Sequence, residues 1–186
     1  MATTQLFIEL LIIGIGVATW LACLVAAILG YAPKDALLTL DRPFLAAFLG
    51  IAYVLGIIVD RAAYSLFKPI ERQRRDEVFG QNQKPAVDDR ERLILVRSSP
   101  LRDQIIYNRS RLRICRSWIL NFFLIAASAG IWAIQQRAWS IASIALASIV
   151  MGVFAAFTAN TLVRDHYINI RSSYDFLTNQ DQHTAG

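Results

Sequence analysis

Apolar and polar positions alternate along this chain in long blocks rather than short periods. The first apolar run, Leu6 to Gly30, is interrupted by a single charged residue, Glu9. At about 1.5 Å per residue, a helix of that length crosses a hydrocarbon core of roughly 30 Å with some tilt. It is too long for the h-region of a secretory signal, about 7–15 residues, and Met-Ala-Thr-Thr-Gln offers no basic n-region. A short polar connection, Tyr31 to Arg42, sets Lys34 and Arg42 against Asp35 and Asp41. Pro43 then opens a second helix, where its missing N–H costs nothing. The apolar stretch Phe44 to Val59 meets Asp60-Arg61 and resumes to Phe67. The second span is therefore expected to end between Asp60 and Lys68, with Pro69 marking an end or a kink.

Residues 68–116 differ in kind. They hold thirteen Lys or Arg against seven Asp or Glu. Gly80 to Pro85 reads as a turn or flexible linker. Leu93 to Val96 fits a strand or a helical turn, since periodicity alone cannot separate them over so few residues. Ser99 as N-cap, Pro100 at the first helical position and Asp103 in the first turn form a helix start. From there no proline or glycine intervenes before Gly130. One helix is expected from 100 through 116 and on into a third span, Trp118 to Ile134. Gln135-Gln136-Arg137 permits only a tight antiparallel hairpin. The fourth span, Ala138 to Val163, has no charge within it and ends at Arg164-Asp165-His166. The polar tail is expected to fray after Phe176.

These elements predict an all-α integral membrane protein with four transmembrane helices and a helical basic cytoplasmic loop between the second and third. The segments are a first transmembrane hairpin (1–67), the basic loop (68–116), a second hairpin (117–165) and a cytoplasmic tail (166–186). Composition agrees: 55% of the 186 residues are hydrophobic and 18% charged, against about a quarter charged in a soluble domain. Cys23 and Cys115 lie in separate segments and suggest no disulfide framework. The only histidines, His166 and His183, sit in the tail, so neither a metal site nor another cofactor is expected.

Charge also predicts orientation. The long loop carries thirteen basic residues, and the two opposite connections together carry three, Lys34, Arg42 and Arg137. The positive-inside rule then places both termini and the loop in the cytoplasm of a cell (inner) membrane. Trp132 and Trp139 flank the outer hairpin tip, with Trp118 at the other interface, as an aromatic belt predicts. The sequon Asn108-Arg109-Ser110 would face the cytoplasm and stay unmodified.

Three sets of residues are candidates for function. Small residues recur on one face of the fourth span, including Ala142, Ala145, Ser148, Gly152 and Ala155, and allow close helix approach. They serve either packing within the bundle or a homo-oligomer seam. A polar layer in the cytoplasmic leaflet is expected from Glu9, Asp60, Arg61, Asn121, Asn160 and Arg164, with Glu9 facing Arg61 or Arg164. Its alternatives are snorkelling to water and a gate or ion-binding ring. The basic helix carries Arg102, Arg109, Arg113 and Arg116 on one stripe, with Arg111 beside it. It suits anionic headgroups of the bilayer or an acidic protein partner. No nucleic-acid motif accompanies this charge, so nucleic acid is not an expected partner.

No nucleophile elbow, phosphate loop, HExxH, CxxC or kinase signature is present. The expected function is thus a non-enzymatic, oligomeric membrane anchor or sensor that docks a cytosolic protein through its basic region. Its layout resembles small four-span bacterial proteins of stress-response and phage-defence operons, an analogy of architecture alone. The alternative is an oligomeric pore with Glu9, Asp60 and Arg61 at its inner mouth. An intramembrane enzyme is a minor alternative.

Overall fold

The computed structural model describes residues 2–30, 42–80 and 84–184. Among them there are five helices and no strand: α1 (Ala2–Leu29), α2 (Arg42–Phe79), α3 (Lys84–Arg97), α4 (Ser99–Gln136) and α5 (Trp139–Thr184). Helices α1, α2, α4 and α5 are long and apolar enough to cross a membrane. This is the layout of a multi-pass membrane protein. Most of the expected 31–42 connection and residues 81–83 of the expected linker lie outside the described residues, as does the side chain of Ser99.

Chemistry at the helix ends explains where they stop. Gly30 and Gly80 follow α1 and α2 with φ of 71° and 87°, a left-handed conformation open to glycine at little cost. The Gly80 amide donates to the Asp76 carbonyl at 2.9 Å. Between α4 and α5 the same role falls to Arg137, at φ 48°. The Ala138 amide then donates back to the Ala133 carbonyl at 3.2 Å, closing the last turn of α4.

Two expectations change and one open alternative is resolved. Helix α2 does not end at Pro69 but carries it inside. Pro69 removes only the amide that would bond the Ser65 carbonyl, and it lies on an exposed face where water replaces that donor. Of the two alternatives for Leu93 to Val96, strand or helical turn, the helical one is found, as part of α3. Helix α5 continues past Phe176 to Thr184.

The chain forms two compact units. The first comprises Met1–Ser65 and Arg113–Phe157, and so holds α1 with parts of α2, α4 and α5. One of its apolar clusters is built on Ala26, Ala27, Ala129, Trp132, Ala133 and Ile141. The other is built on Ile13, Val17 and Val59, with Trp20, Leu55 and Leu120 against them. Trp132 is therefore a core residue, whereas Trp139 is 90% exposed. Helices α1 and α2 cross closely: a Cβ on Gly14 would strike the Ala52 carbonyl, and one on Gly56 would strike that of Leu10. Glycine is required at both, because backbone occupies the space a side chain would fill.

The small face of α5 is used within this unit. Ala142 and Ala145 pack on the Trp132 cluster, Ser148 and Gly152 are buried, and a Cβ on Gly152 would meet Phe122 at 3.4 Å. Large apolar side chains on other faces of α5, such as Leu146, Val153, Phe154 and Phe157, are exposed.

The second unit comprises Leu66–Leu112 and Thr158–Gly186. Its core is Ile94 from α3, Ile105 from α4 and Ile170 from α5, with Phe79, Leu101, Tyr167, Tyr174 and Leu177 packed around them.

Candidate functional site

The polar candidates of the first unit resolve into a charge cluster and an amide anchor. Glu9 on α1 is buried, with its side chain only 8% exposed. It faces Arg113 of α4, whose Nη1 donates to Glu9 Oε2 at 3.2 Å. Arg113 Nε also lies 3.9 Å from Asp60 Oδ2 on α2. That second contact is an ion pair too long for a hydrogen bond. Asp60 Oδ1 is buried without a hydrogen-bond partner among the described residues. Two carboxylates from two helices thus share one guanidinium from a third. Burial penalises each charge, so the cluster holds only while all three stay together.

Within the first unit the residue facing Glu9 is accordingly Arg113 rather than Arg61. Arg61 is exposed and forms no ion pair with the described residues. Asn121 is completely buried on α4. Its Nδ2 donates to the Ile13 carbonyl at 3.0 Å, tying α4 to α1. Gly16 makes room for it, since a Cβ there would collide with the Asn121 amide. Arg116 lies over the Tyr64 ring at 5.3 Å, within cation–π range.

In the second unit Asn160 accepts from Arg74 Nε at 2.9 Å. Arg109 Nη2 donates to Glu91 Oε2 at 2.6 Å, the carboxylate being far more buried than the guanidinium. Burial pushes the Glu91 carboxyl above the usual carboxylate range; Arg109 pulls it down by less, and Asp88 adds to the rise. Arg90 of α3 sits over Phe79 at 5.5 Å and Tyr174 at 4.9 Å, which fastens α3 to α2 and α5. His166 is buried with Nδ1 unpartnered among the described residues, its ring 5.5 Å from that of Tyr167. Arg111 stacks over Tyr107 at 5.5 Å. Arg102 Nε lies 3.6 Å from its exposed neighbour Asp103.

The arginine stripe of α4 is thus largely committed to partners inside the chain. Helical spacing gives the stripe, but it cannot show which carboxylates and rings the other helices bring against it. A second basic group escaped sequence reasoning. Arg74, Glu77 and Val78 of α2 and Arg164, Ile168 and Arg171 of α5 line a cavity of about 450 Å³. The only sequence signal is spacing, 4 and 3 residues on α5 and 3 to 4 on α2, which places each set on one helical face. Among the described residues no three His, Cys, Asp or Glu side chains gather as a metal ion requires. Comparison with family models, with curated proteins and with solved structures finds no match.

Proposed function

We propose that this protein is a non-enzymatic multi-pass membrane anchor or sensor that presents its basic helical region to a cytosolic partner. The observation that carries the reading is helix length. Helices α2, α4 and α5 run for 38, 38 and 46 residues, about twice the roughly 20 needed to cross a bilayer. Each therefore has a long polar part outside the hydrocarbon, and residues of all three, with α3, build a unit with its own apolar core. The excess of Lys and Arg in 68–116 supports a cytoplasmic side for that unit and for both termini.

Residues of α3 suit partner contact better than the α4 stripe. Arg92 is exposed and has no ion-pair partner among the described residues, while Arg109 and Arg113 are held by Glu91 and Glu9. Charge reversal of Arg92 and of Arg72, an exposed residue of α2 3.9 Å from Asp76, should abolish recovery of a cytosolic protein cross-linked to the full chain in cells. Unchanged recovery, with membrane insertion intact, would sink the docking reading.

The anchor is favoured over a pore because Glu9 and Asp60, the two carboxylates assigned to an inner mouth, are turned onto Arg113 within one copy. Self-association belongs to the proposal too. Its seam is not placed on Ser148 and Gly152, which the chain itself covers.

A further inference from the structure

We infer that the cavity between α2 and α5 in the second unit binds the phosphodiester headgroup of an anionic membrane phospholipid. Three guanidinium groups and one carboxylate line it. Glu77 is already compensated: its Oε2 accepts from Arg74 Nη1 at 2.6 Å, and its Oε1 accepts from Gln73 Nε2 at 3.4 Å. The surplus positive charge lies on Arg164 and Arg171. Arg164 is exposed and has no partner among the described residues. Arg171 spends one amino group on the Val78 carbonyl, Nη1 to O at 3.3 Å, and keeps Nε and Nη2 for a ligand. Arg74 is held in place by Asn160 and Glu77 and keeps Nη2. The free planar groups of Arg164 and Arg171 on α5, with Arg74 Nη2 from α2 beside them, suit the oxygens of a phosphate, which arginine binds bidentately. The volume lies within the range of small-molecule sites, about 300–1,000 Å³.

Two observations choose a lipid over a free phosphate. The lining includes Val78 and Ile168 beside the arginines, and Ile168 is 42% exposed, an apolar edge with no use for inorganic phosphate. The cavity also lies where the charge-free run of α5 ends. Arg164 is the first charge after Val163, and Arg74 bonds Asn160 one turn earlier. If α5 spans the bilayer, as the proposed function holds, this is headgroup depth. Basic pockets between spans on the cytoplasmic side take anionic headgroups for these reasons.

The test is native mass spectrometry of the full chain in mild detergent, with phosphatidylglycerol and, separately, phosphatidylcholine titrated in. Glycerophosphoglycerol and inorganic phosphate serve as chain-free competitors. Phosphatidylglycerol should bind selectively at one site, and Arg164→Gln with Arg171→Gln should weaken it roughly tenfold or more. Arg164→Gln alone disturbs no internal bond and should account for much of the loss. Ile168→Trp, which fills the cavity and leaves every arginine, should lower binding as much. Arg72→Gln with Arg92→Gln removes equal charge elsewhere and should leave binding unchanged. Equal losses in this control pair, or full binding by Ile168→Trp, would overturn the site. Displacement by inorganic phosphate as effective as by lipid would overturn the lipid assignment. A chain that stays in carbonate-washed membranes but shows no lipid selectivity loses the cavity alone. A chain released to the soluble fraction loses the membrane reading and this inference with it.

Discussion

Arg113 is the residue on which the interior of the first unit depends. Removing one partner of a buried ion pair leaves an uncompensated charge, typically at about 3–5 kcal/mol. Arg113→Leu strands two carboxylates and should be more damaging than Glu9→Gln, which keeps an acceptor near Arg113. Asp60→Asn should be milder still, because its contact with Arg113 is 3.9 Å. Thermal unfolding in nanodiscs checks this order; equal melting temperatures for the three variants would dissolve the cluster as a structural device. Combining Glu9→Gln with Arg113→Gln should recover part of the loss, the non-additivity expected of residues in one network. Glu91 carries a pH dependence of definite sign. Its folded pKa is raised, chiefly by burial, so the unfolded chain gives up this proton first. Stability from this group is then greatest at acid pH and falls as pH rises from the usual carboxylate range through the raised value. Glu91→Gln, which still offers Arg109 an acceptor, should flatten the stability profile across mildly acidic pH. A profile unchanged by the substitution would contradict this.

Among the elements, the glycines separate by what surrounds them. Gly14 and Gly56 face backbone of the opposing helix, whereas a Cβ on Gly50 meets nothing. Gly56→Leu should therefore force α1 from α2, with a loss of about 1–3 kcal/mol or more, while Gly50→Leu should be tolerated. Similar folded yields for both by fluorescence-detected gel filtration would refute the close crossing. At the hairpin tip, Arg137 holds a left-handed conformation at roughly 1 kcal/mol or more of steric cost. Arg137→Gly should raise the melting temperature slightly. Element identity was largely legible in the sequence, because runs as long and charge-free as Ala138 to Val163 have few other readings. What escaped was local. Pro69 looks like a stop in one dimension, yet on an exposed face it removes a single hydrogen bond. The apolar stretch Leu93 to Val96 is too short for its period to tell helix from strand. Pairings were hidden for a different reason: the sequence gives depth along a helix, not rotation about its axis. Glu9 and Arg113 were each visible as candidates, but not as partners, and the basic cavity needed α2 and α5 side by side.

For the molecule as a whole, the all-helical character of the described residues and the number of helices long and apolar enough to span a membrane agree with the sequence reading. Side, partner and self-association belong to the proposal. Burial within the chain is uneven: half of the most apolar stretch of α4 is buried, against 22% for α2 and for α5. So much exposed apolar surface on long helices is untenable in water and ordinary in lipid. The most direct test is impermeant maleimide labelling of intact cells, with Cys23 and Cys115 replaced by alanine and single cysteines introduced by Lys34→Cys, Arg137→Cys, Arg92→Cys and Asp175→Cys. Labelling from outside is expected at positions 34 and 137 only, with 92 and 175 reacting after permeabilisation. External labelling at 92 or 175 would contradict a basic helical unit gathered on the cytoplasmic side.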